Sequence, residues 1–313
     1  MGNGQVAFFQ GKFVPIEDAK VPITTHAIHY GTAVFEGIRG NWNAEQSKSF
    51  IFRPFEHYRR LLQGSSFLRM SLPYSAEDLV SLSIELLERN HFKEDVYIRP
   101  LAYKSAPKVA NLKLHELEDD IAIMAVPLGN YLANDTLKCM TASWRRIEET
   151  MIPARLKISG VYVNSILAKT DAALSGCDEA IFLDSSGHAV EGSGENLFMV
   201  KHGRLITPPE SDSILEGITR DSVMELARNE LHLEIEERPI GRAELYLADE
   251  VFLTGTAAHV TGVAELDHHQ IGNGETGPIT AAMRDLYKSI IQGKVSKYLH
   301  WCAAAIPERL AIN

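Results

Sequence analysis

Four short stretches of this chain carry residue types that could do chemistry. In HAVEGSGENLFMV (188–200), Glu191 and Glu195 flank Gly-Ser-Gly, between the turn-like DSSG (184–187) and an apolar run. Glycines weaken a strand, so two of them ask for a reason. A carboxylate at such a kink could pair with a cationic ring nitrogen; a hairpin cap or a solvated glutamate would leave the same sequence. In ARLKISG, Lys157 lies between Leu156 and Ile158. Apolar neighbours desolvate a lysine and lower its pKa, as an imine-forming amine requires. A surface lysine would read the same way, and Lys169 reads as an ordinary helix lysine. GITR (217–220) stands at a helix start, where backbone N–H groups form an anion site and Thr219 adds a hydroxyl. Most capped helices bind nothing. TGTAAH (254–259) is a strand running into a Gly-Thr-Ala-Ala turn, which can offer N–H groups and a hydroxyl to a phosphate or carboxylate. A tight turn needs no ligand to explain it.

Taken singly, each stretch is weak. Together they supply a lysine, a carboxylate and two anion cradles. These are the parts that pyridoxal 5'-phosphate requires: a Schiff-base lysine, an acidic partner for the pyridine nitrogen and a phosphate cup.

The elements that must position these residues follow from patterning. QVAFFQGKFV (5–14) reads as a hairpin, and TAVFEGIR within HAIHYGTAVFEGIRG (26–40) as a strand or strand entry. Residues 54–70 predict an amphipathic helix opened by Pro54. Residues 75–90 predict a second helix, with Ser75 and Asp78 as a capping box. VYIRPLAY (96–103) and IAIMAVPL (121–128) read as strands, and GNYLAND (129–135) as the linker. Beyond it come a helix over 159–176, a strand at 179–184, a hairpin around Lys201-His202-Gly203, a helix over 217–231 with Thr219 as its N-cap, and a strand from 249 that breaks at Gly255.

The chain has 313 residues, 45% of them hydrophobic and 23% charged, which suits a globular protein of two domains. Its formal net charge of −10 argues against a general nucleic-acid binder, which would carry a basic stripe. The three cysteines are odd in number and far apart, so neither a disulfide framework nor a CxxC metal site is expected; no metal is. Val6 stands where a myristoylation signal after Gly2 needs Ser or Thr. No signal peptide is visible and no apolar run approaches the roughly 20 residues of a membrane span, so the expectation is a cytoplasmic protein.

HAIHYGTAVFEGIRG, FRPFEHYRRLL, YIRPL, ARLKISGVYVNSIL, VEGSGENLF, GITRD and LADEVFLTGTAAH run in order from about residue 5 to about residue 290. In this order they resemble the branched-chain amino acid aminotransferases, of the fold-type IV (class IV) pyridoxal-phosphate enzymes. EGSGENLF followed by GITR is specific to the class; HYGTAVFEGIRG with YIRP favours the branched-chain members. The resemblance implies a two-domain α/β (α+β) fold like that of D-amino acid aminotransferase: a small N-terminal α/β domain (1–128), a linker (129–138) and a larger C-terminal pseudo-barrel domain (139–313). It implies transfer of the amino group between leucine, isoleucine or valine and 2-oxoglutarate, in at least a homodimer.

Residue by residue, the resemblance gives Lys157 the imine and the proton shuttle, and Glu191 the pyridine nitrogen. Tyr162 would sit near the cofactor's phenolic oxygen. Arg60 would pair with the phosphate, helped by Ile218, Thr219 and Thr256. Thr256, Ala257 and Ala258 would meet the substrate α-carboxylate. Tyr30, Phe35, Gly37, Arg39, Tyr97, Arg99 and Tyr131 would line the substrate pocket, with Arg99 holding glutamate's second carboxylate. Glu195 would be structural. The chain departs from the family pattern at Leu128, where a tryptophan is frequent, across 104–120, in SGVYVN and at His259. Related chemistries on the same fold are a D-amino acid or (R)-amine aminotransferase and an aminodeoxychorismate-type lyase; HYGTAVFEGIRG and YIRP argue against each. A non-catalytic scaffold would have no use for Lys157, Glu191 and Arg60 together.

Overall fold

The computed structural model describes residues 4–129 and 136–307. They pack as two compact units. The first comprises 4–129, 156–160 and 289–307, the second 136–155 and 161–288. The sequence reading places everything from residue 139 onward in one domain. The structure differs because both returning segments pair with strands of the first unit. Strand Cys302–Ala305 pairs with Lys48–Phe52, and Ile158 bridges Val34. Of the expected linker, 136–138 belong to a strand that begins at Thr136, and 130–135 lie outside the described residues.

The first unit is built on an eight-stranded sheet. Its strands are β1 (Val6–Phe9), β2 (Lys12–Pro15), β3 (Ala33–Phe35), β4 (Ile38–Asn43), β5 (Lys48–Phe52), β6 (Val96–Lys104), β7 (Asp119–Pro127) and the late strand Cys302–Ala305. β6 is central: β4 and β3 pair with successive stretches of it on one side and β7 on the other. The TAVFEGIR stretch is therefore two strands, broken at Glu36-Gly37. α1 (His26–Tyr30) precedes β3. α2 (Pro54–Phe67) and α3 (Ala76–Asn90) match their expected spans to within a few residues. Ser75 accepts from the Asp78 N–H while the Asp78 carboxylate accepts from the Ser75 N–H, completing the capping box.

The second unit carries a ten-stranded sheet. β8 (Thr136–Arg145) leads into α4 (Tyr162–Leu174), β9 (Glu179–Leu183), β10 (His188–Gly192), β11 (Asn196–Lys201), β12 (Arg204–Thr207), α5 (Ile218–Asn229), β13 (Ile235–Glu237), β14 (Ile240–Gly241), α6 (Arg242–Tyr246), β15 (Glu250–Gly255), β16 (His259–Leu266), β17 (His269–Gln270) and α7 (Pro278–Ile291). The order β11-β15-β16-β8-β9-β10 returns to β11, so these strands close into a barrel. One apolar cluster draws on the strands at one parity: Leu137, Cys139, Ile181, Leu197, Met199, Val251, Leu253 and Val263. The opposite parity of β8 and β9, including Ala142, Ala180 and Phe182, packs with Ala168 and Ala172 of α4. The helix therefore lies outside the barrel and the first cluster fills it. Each fully buried Leu, Ile or Val contributes about 1.5–3 kcal/mol. The helix expected over 159–176 is split: Ser159–Val161 is a 3-10 turn and α4 proper starts at Tyr162. No helix among the described residues is long and apolar enough to cross a membrane.

The bridge that returns 156–160 to the first unit depends on a close backbone approach. Gly31 closes α1 at φ +63°, and a Cβ there would lie 2.7 Å from Gly160 Cα. The Gly160 N–H donates to the Gly31 carbonyl at 3.2 Å. Gly31→Ala is expected to lose about 1–3 kcal/mol in urea denaturation, from the left-handed backbone and the clash together. Gly160→Ala, whose Cβ would meet Gly31 O at an ordinary 3.4 Å, should lose less. Equal losses would show that the contact is not what demands the glycine.

Candidate active site

In the first unit the expected residues gather around Phe35. The Phe35 N–H donates to the Lys157 carbonyl at 3.1 Å, so β3 fixes the lysine segment's backbone. The half-buried Lys157 Nζ lies 5.2 Å from the Phe35 ring centroid, and the Arg99 guanidinium lies 4.5 Å from it. Tyr97 and Arg99 alternate onto the same face of β6. The Tyr97 hydroxyl accepts from Arg99 Nη2 at 3.0 Å. Gly37 makes room for it: a Cβ there would lie 1.9 Å from the Tyr97 hydroxyl oxygen.

Arg60, from α2, joins a buried charge cluster. Its Nε donates to Glu36 Oε1 at 2.6 Å and its Nη2 to Oε2 at 2.9 Å. His57 Nδ1 meets the same Oε2 at 2.7 Å. Burial pushes the Glu36 carboxyl up, but the charges and hydrogen bonds of Arg60 and His57 outweigh it and hold the group well below the usual carboxylate range. Burial pulls His57 below its ordinary value despite Glu36, and the charges of Arg60 and Lys157 act in the same direction. Neutral His57 and cationic Arg60 therefore share one carboxylate, held next to the lysine.

Two expected pocket residues are engaged elsewhere. Arg39 is buried, donating to the Gly129 carbonyl at 3.2 and 3.3 Å and ion-paired with Asp95 at 3.5 Å. Tyr30 lies against His26, and its hydroxyl accepts from the Ala110 N–H at 3.0 Å. Tyr131 lies outside the described residues.

In the second unit the remaining stretches converge on the barrel's closure. β10 meets β11 through the pair Glu191 and Asn196. The buried Glu191 carboxylate is ion-paired with Arg146 at 2.5 Å and accepts from the Leu215 N–H at 3.0 Å. Asn196 donates its amide to the Leu215 carbonyl at 2.8 Å. Both strands are thus tied to the segment that enters α5. Gly217 is the N-cap of α5, not Thr219 as the spacing predicts, and no side chain caps the helix. A Cβ at Gly217 would lie 1.9 Å from Asn196 Oδ1, which explains why glycine takes that position. Thr219 is buried in the first turn, its hydroxyl 3.5 Å from that of Tyr287. The turn at Thr256–Ala258 follows β15, whose Thr254 pairs with Asn196. A Cβ on Gly255 would touch Gly194 O at 3.4 Å and Glu195 Cγ at 3.5 Å. Glu191, the start of α5 and the 256–258 turn therefore share one end of the barrel. Tyr162 opens α4 and is half-buried.

Three side chains were not foreseen: Glu36, His57 and Arg146. Glu36 left one signal, a lone carboxylate inside the apolar run AVFEGI. Arg146 left none, because a register shift between Thr141 and Arg145 breaks the strand's alternation just before it.

The model of the amino-transferase class IV family matches residues 33–266. A probable branched-chain-amino-acid aminotransferase of Aquifex aeolicus is 51% identical over 296 residues, 94% of this chain and 95% of that one. The branched-chain aminotransferase of Thermoproteus uzoniensis, solved with norvaline, superposes at a TM-score of 0.92 with 42% identity, covering 97% of this chain and 99% of that one. The PLP form of the Thermobaculum terrenum enzyme gives a TM-score of 0.92 at 39% identity, with the same coverage. The chain belongs to the class IV aminotransferases and has their fold-type IV architecture.

Arg146 is the basic partner of a carboxylate that is itself buried. Arg146→Met should destabilise the protein by about 3–5 kcal/mol in urea, because it strands the Glu191 charge. Adding Glu191→Gln should recover part of that loss. Strictly additive losses would show that the two side chains do not act as a pair.

Proposed function

We propose that the protein transfers the amino group between branched-chain L-amino acids and 2-oxoglutarate, using pyridoxal 5'-phosphate. The observation that carries this reading is the Phe35 cluster. An amine and a guanidinium adjoin one apolar aromatic ring. Phe35 and Tyr97 suit an aliphatic side chain. Arg99 suits the second carboxylate of glutamate. The 51% identity to a probable branched-chain aminotransferase supports the same reading.

The residues present fit the cofactor. In the first unit Arg60 suits a phosphate, and in the second the α5 start, which has no side-chain cap, suits one as well. The buried Glu191 suits a cationic ring nitrogen. On Gly194 a Cβ would meet nothing within 4 Å, so the turn leaves space on that side. When bound, pyridoxal phosphate supplies the conjugated ring that takes up electrons as the substrate's Cα–H bond breaks. Lys157 carries the proton between carbons. Glu191 favours the protonated ring nitrogen, and Arg146 keeps Glu191 anionic. Tyr162 offers its hydroxyl to the phenolic oxygen. Thr219 and Thr256 add hydroxyls for the phosphate, alongside Ile218 N–H. Ala257 and Ala258 present N–H groups to the substrate α-carboxylate. Gly37 leaves room for the Tyr97 hydroxyl beside Arg99.

In this reading the protein is a cytoplasmic homodimer. Its three cysteines are free thiols, as a reducing compartment allows. Val163, Ile166, Leu167 and Leu174 form an exposed apolar stripe along α4, suited to a second copy.

With 2-oxoglutarate as acceptor, L-leucine is expected to outpace D-alanine and (R)-1-phenylethylamine as donor, and Lys157→Ala to abolish turnover. Glu191→Gln should lower kcat more than it weakens cofactor binding. D-alanine outrunning L-leucine would overturn the substrate assignment; unchanged activity in Lys157→Ala would overturn the lysine's role.

A further inference from the structure

A second carboxyl cluster lies beneath the turn that carries Glu191. Glu179 on β9 and Glu195 at the end of the turn are both buried, at 1% and 8% exposure. Each holds part of the turn. Glu179 Oε1 accepts from the Ser193 N–H at 3.3 Å and from the Ala180 N–H at 2.7 Å. Glu195 Oε2 accepts from the Gly194 N–H at 3.0 Å, and the Glu195 carbonyl accepts from the Gly192 N–H at 2.7 Å. A Cβ on Gly192 would come within 2.8 Å of Glu195 Oε2 and would push that carboxyl aside. The two carboxyl groups thus converge on neighbouring N–H groups of one turn, Ser193 and Gly194, and Glu179 stands close enough to act on the Glu195 carboxyl.

Two buried carboxyl groups held at one turn cannot both be ionised without severe repulsion, and one retained proton relieves it. Among the described residues, Lys169, Asp178 and Cys139 are the further charged or titratable groups beside the pair. Lys169 of α4 donates to Glu179 Oε2 and, at 2.5 Å, to the Asp178 carbonyl. Asp178 itself precedes β9, and Cys139 of β8 is fully buried alongside. Burial, with the charges of Glu179 and Glu195, raises the Cys139 thiol well above its ordinary value, so it is neutral. One ammonium thus serves two carboxyls, and it sits on Glu179.

We infer that Glu195 is a protonated carboxylic acid at neutral pH, donating to ionised Glu179, and that this shared proton holds the Gly192–Gly194 turn and so positions Glu191. Glu195 is a positioning residue, not a catalytic one. Its effect on turnover rests on the cofactor role proposed for Glu191; its effect on stability does not. Burial, and after it the Glu179 charge, pushes the Glu195 carboxyl up to about 8. The folded state therefore holds a proton that the unfolded chain releases in the ordinary glutamate range. Stability is fully present below that range and falls as pH rises towards 8.

The test compares the full-length wild type with Glu195→Gln between pH 6 and pH 9, with and without pyridoxal phosphate. The glutamine amide can donate to Glu179 and its carbonyl can accept from Gly194, with no proton to lose. Without cofactor, the wild-type Tm should fall about 5 °C further than that of Glu195→Gln over this range. With cofactor, the alkaline limb of the kcat profile should move up by about one pH unit or more in the variant. A parallel Tm profile, or a variant that is already less stable than wild type at pH 6, would overturn the inference. Parallel kcat limbs with divergent Tm profiles would leave the proton in place and refute only the link to Glu191. Infrared spectroscopy of the wild type reads the proton directly: a protonated-carboxyl carbonyl band should be present at pH 7 and lost at pH 9. Absence of that band at pH 7 would overturn the assignment even if the variant does not fold.

Discussion

The second unit depends on one short contact, where β10 meets β11 at Glu191 and Asn196 and closes the barrel. Glu191 and the segment that enters α5 are both tied to this closure. Glu191 is fixed by Arg146 and by the Leu215 N–H, and Asn196 by the Leu215 carbonyl. The same Asn196 forbids a side chain at Gly217, which sets where α5 begins. A carboxylate and a helix start, which are separate in sequence, therefore become one arrangement. The constraint is costly, since a charged carboxylate must be buried. The Arg146 ion pair offsets that cost and keeps the charge where a cationic ring would need it.

The first unit solves a different problem, which is to hold a flexible lysine near other cations. Its backbone is fixed by the Phe35 N–H and the Val34–Ile158 bridge, made reachable by glycines at 31 and 160. Glu36 then balances Arg60, while burial keeps neighbouring His57 neutral. An aromatic ring adjoining both ammonium and guanidinium contributes attraction without adding a counter-charge that would neutralise either. In the proposed reading, the ring suits an aliphatic side chain and the guanidinium an acidic one. Amino transfer between unlike partners asks for that property.

Much of this was legible beforehand. The capping box at Ser75, the Pro54 helix start and the hairpins at residues 5–14 and 196–207 obey local rules, and local rules can be read from sequence. What escaped depends on contacts distant in sequence. Thr219 looked like the cap because it is the best capping residue nearby, yet the fold places Gly217 there to clear Asn196. Residues 156–160 and 289–307 follow the first unit because of strand partners more than 100 residues away, and no periodicity reports such pairing. The two glutamates of the Gly-Ser-Gly stretch looked alike. Their environments separate them: Glu191 faces a guanidinium, Glu195 another carboxyl. The individual roles came from family resemblance, because spacing alone left a bland explanation open for every stretch.

The central claim is that one amine nitrogen passes from an aliphatic amino acid to 2-oxoglutarate through this site. Isotope-labelled nitrogen follows it directly. With nitrogen-labelled L-leucine and unlabelled 2-oxoglutarate, the cofactor-loaded protein should place the label in glutamate, one for each leucine consumed. Label released as ammonia, or leucine left unconsumed while another donor is used, would contradict the account.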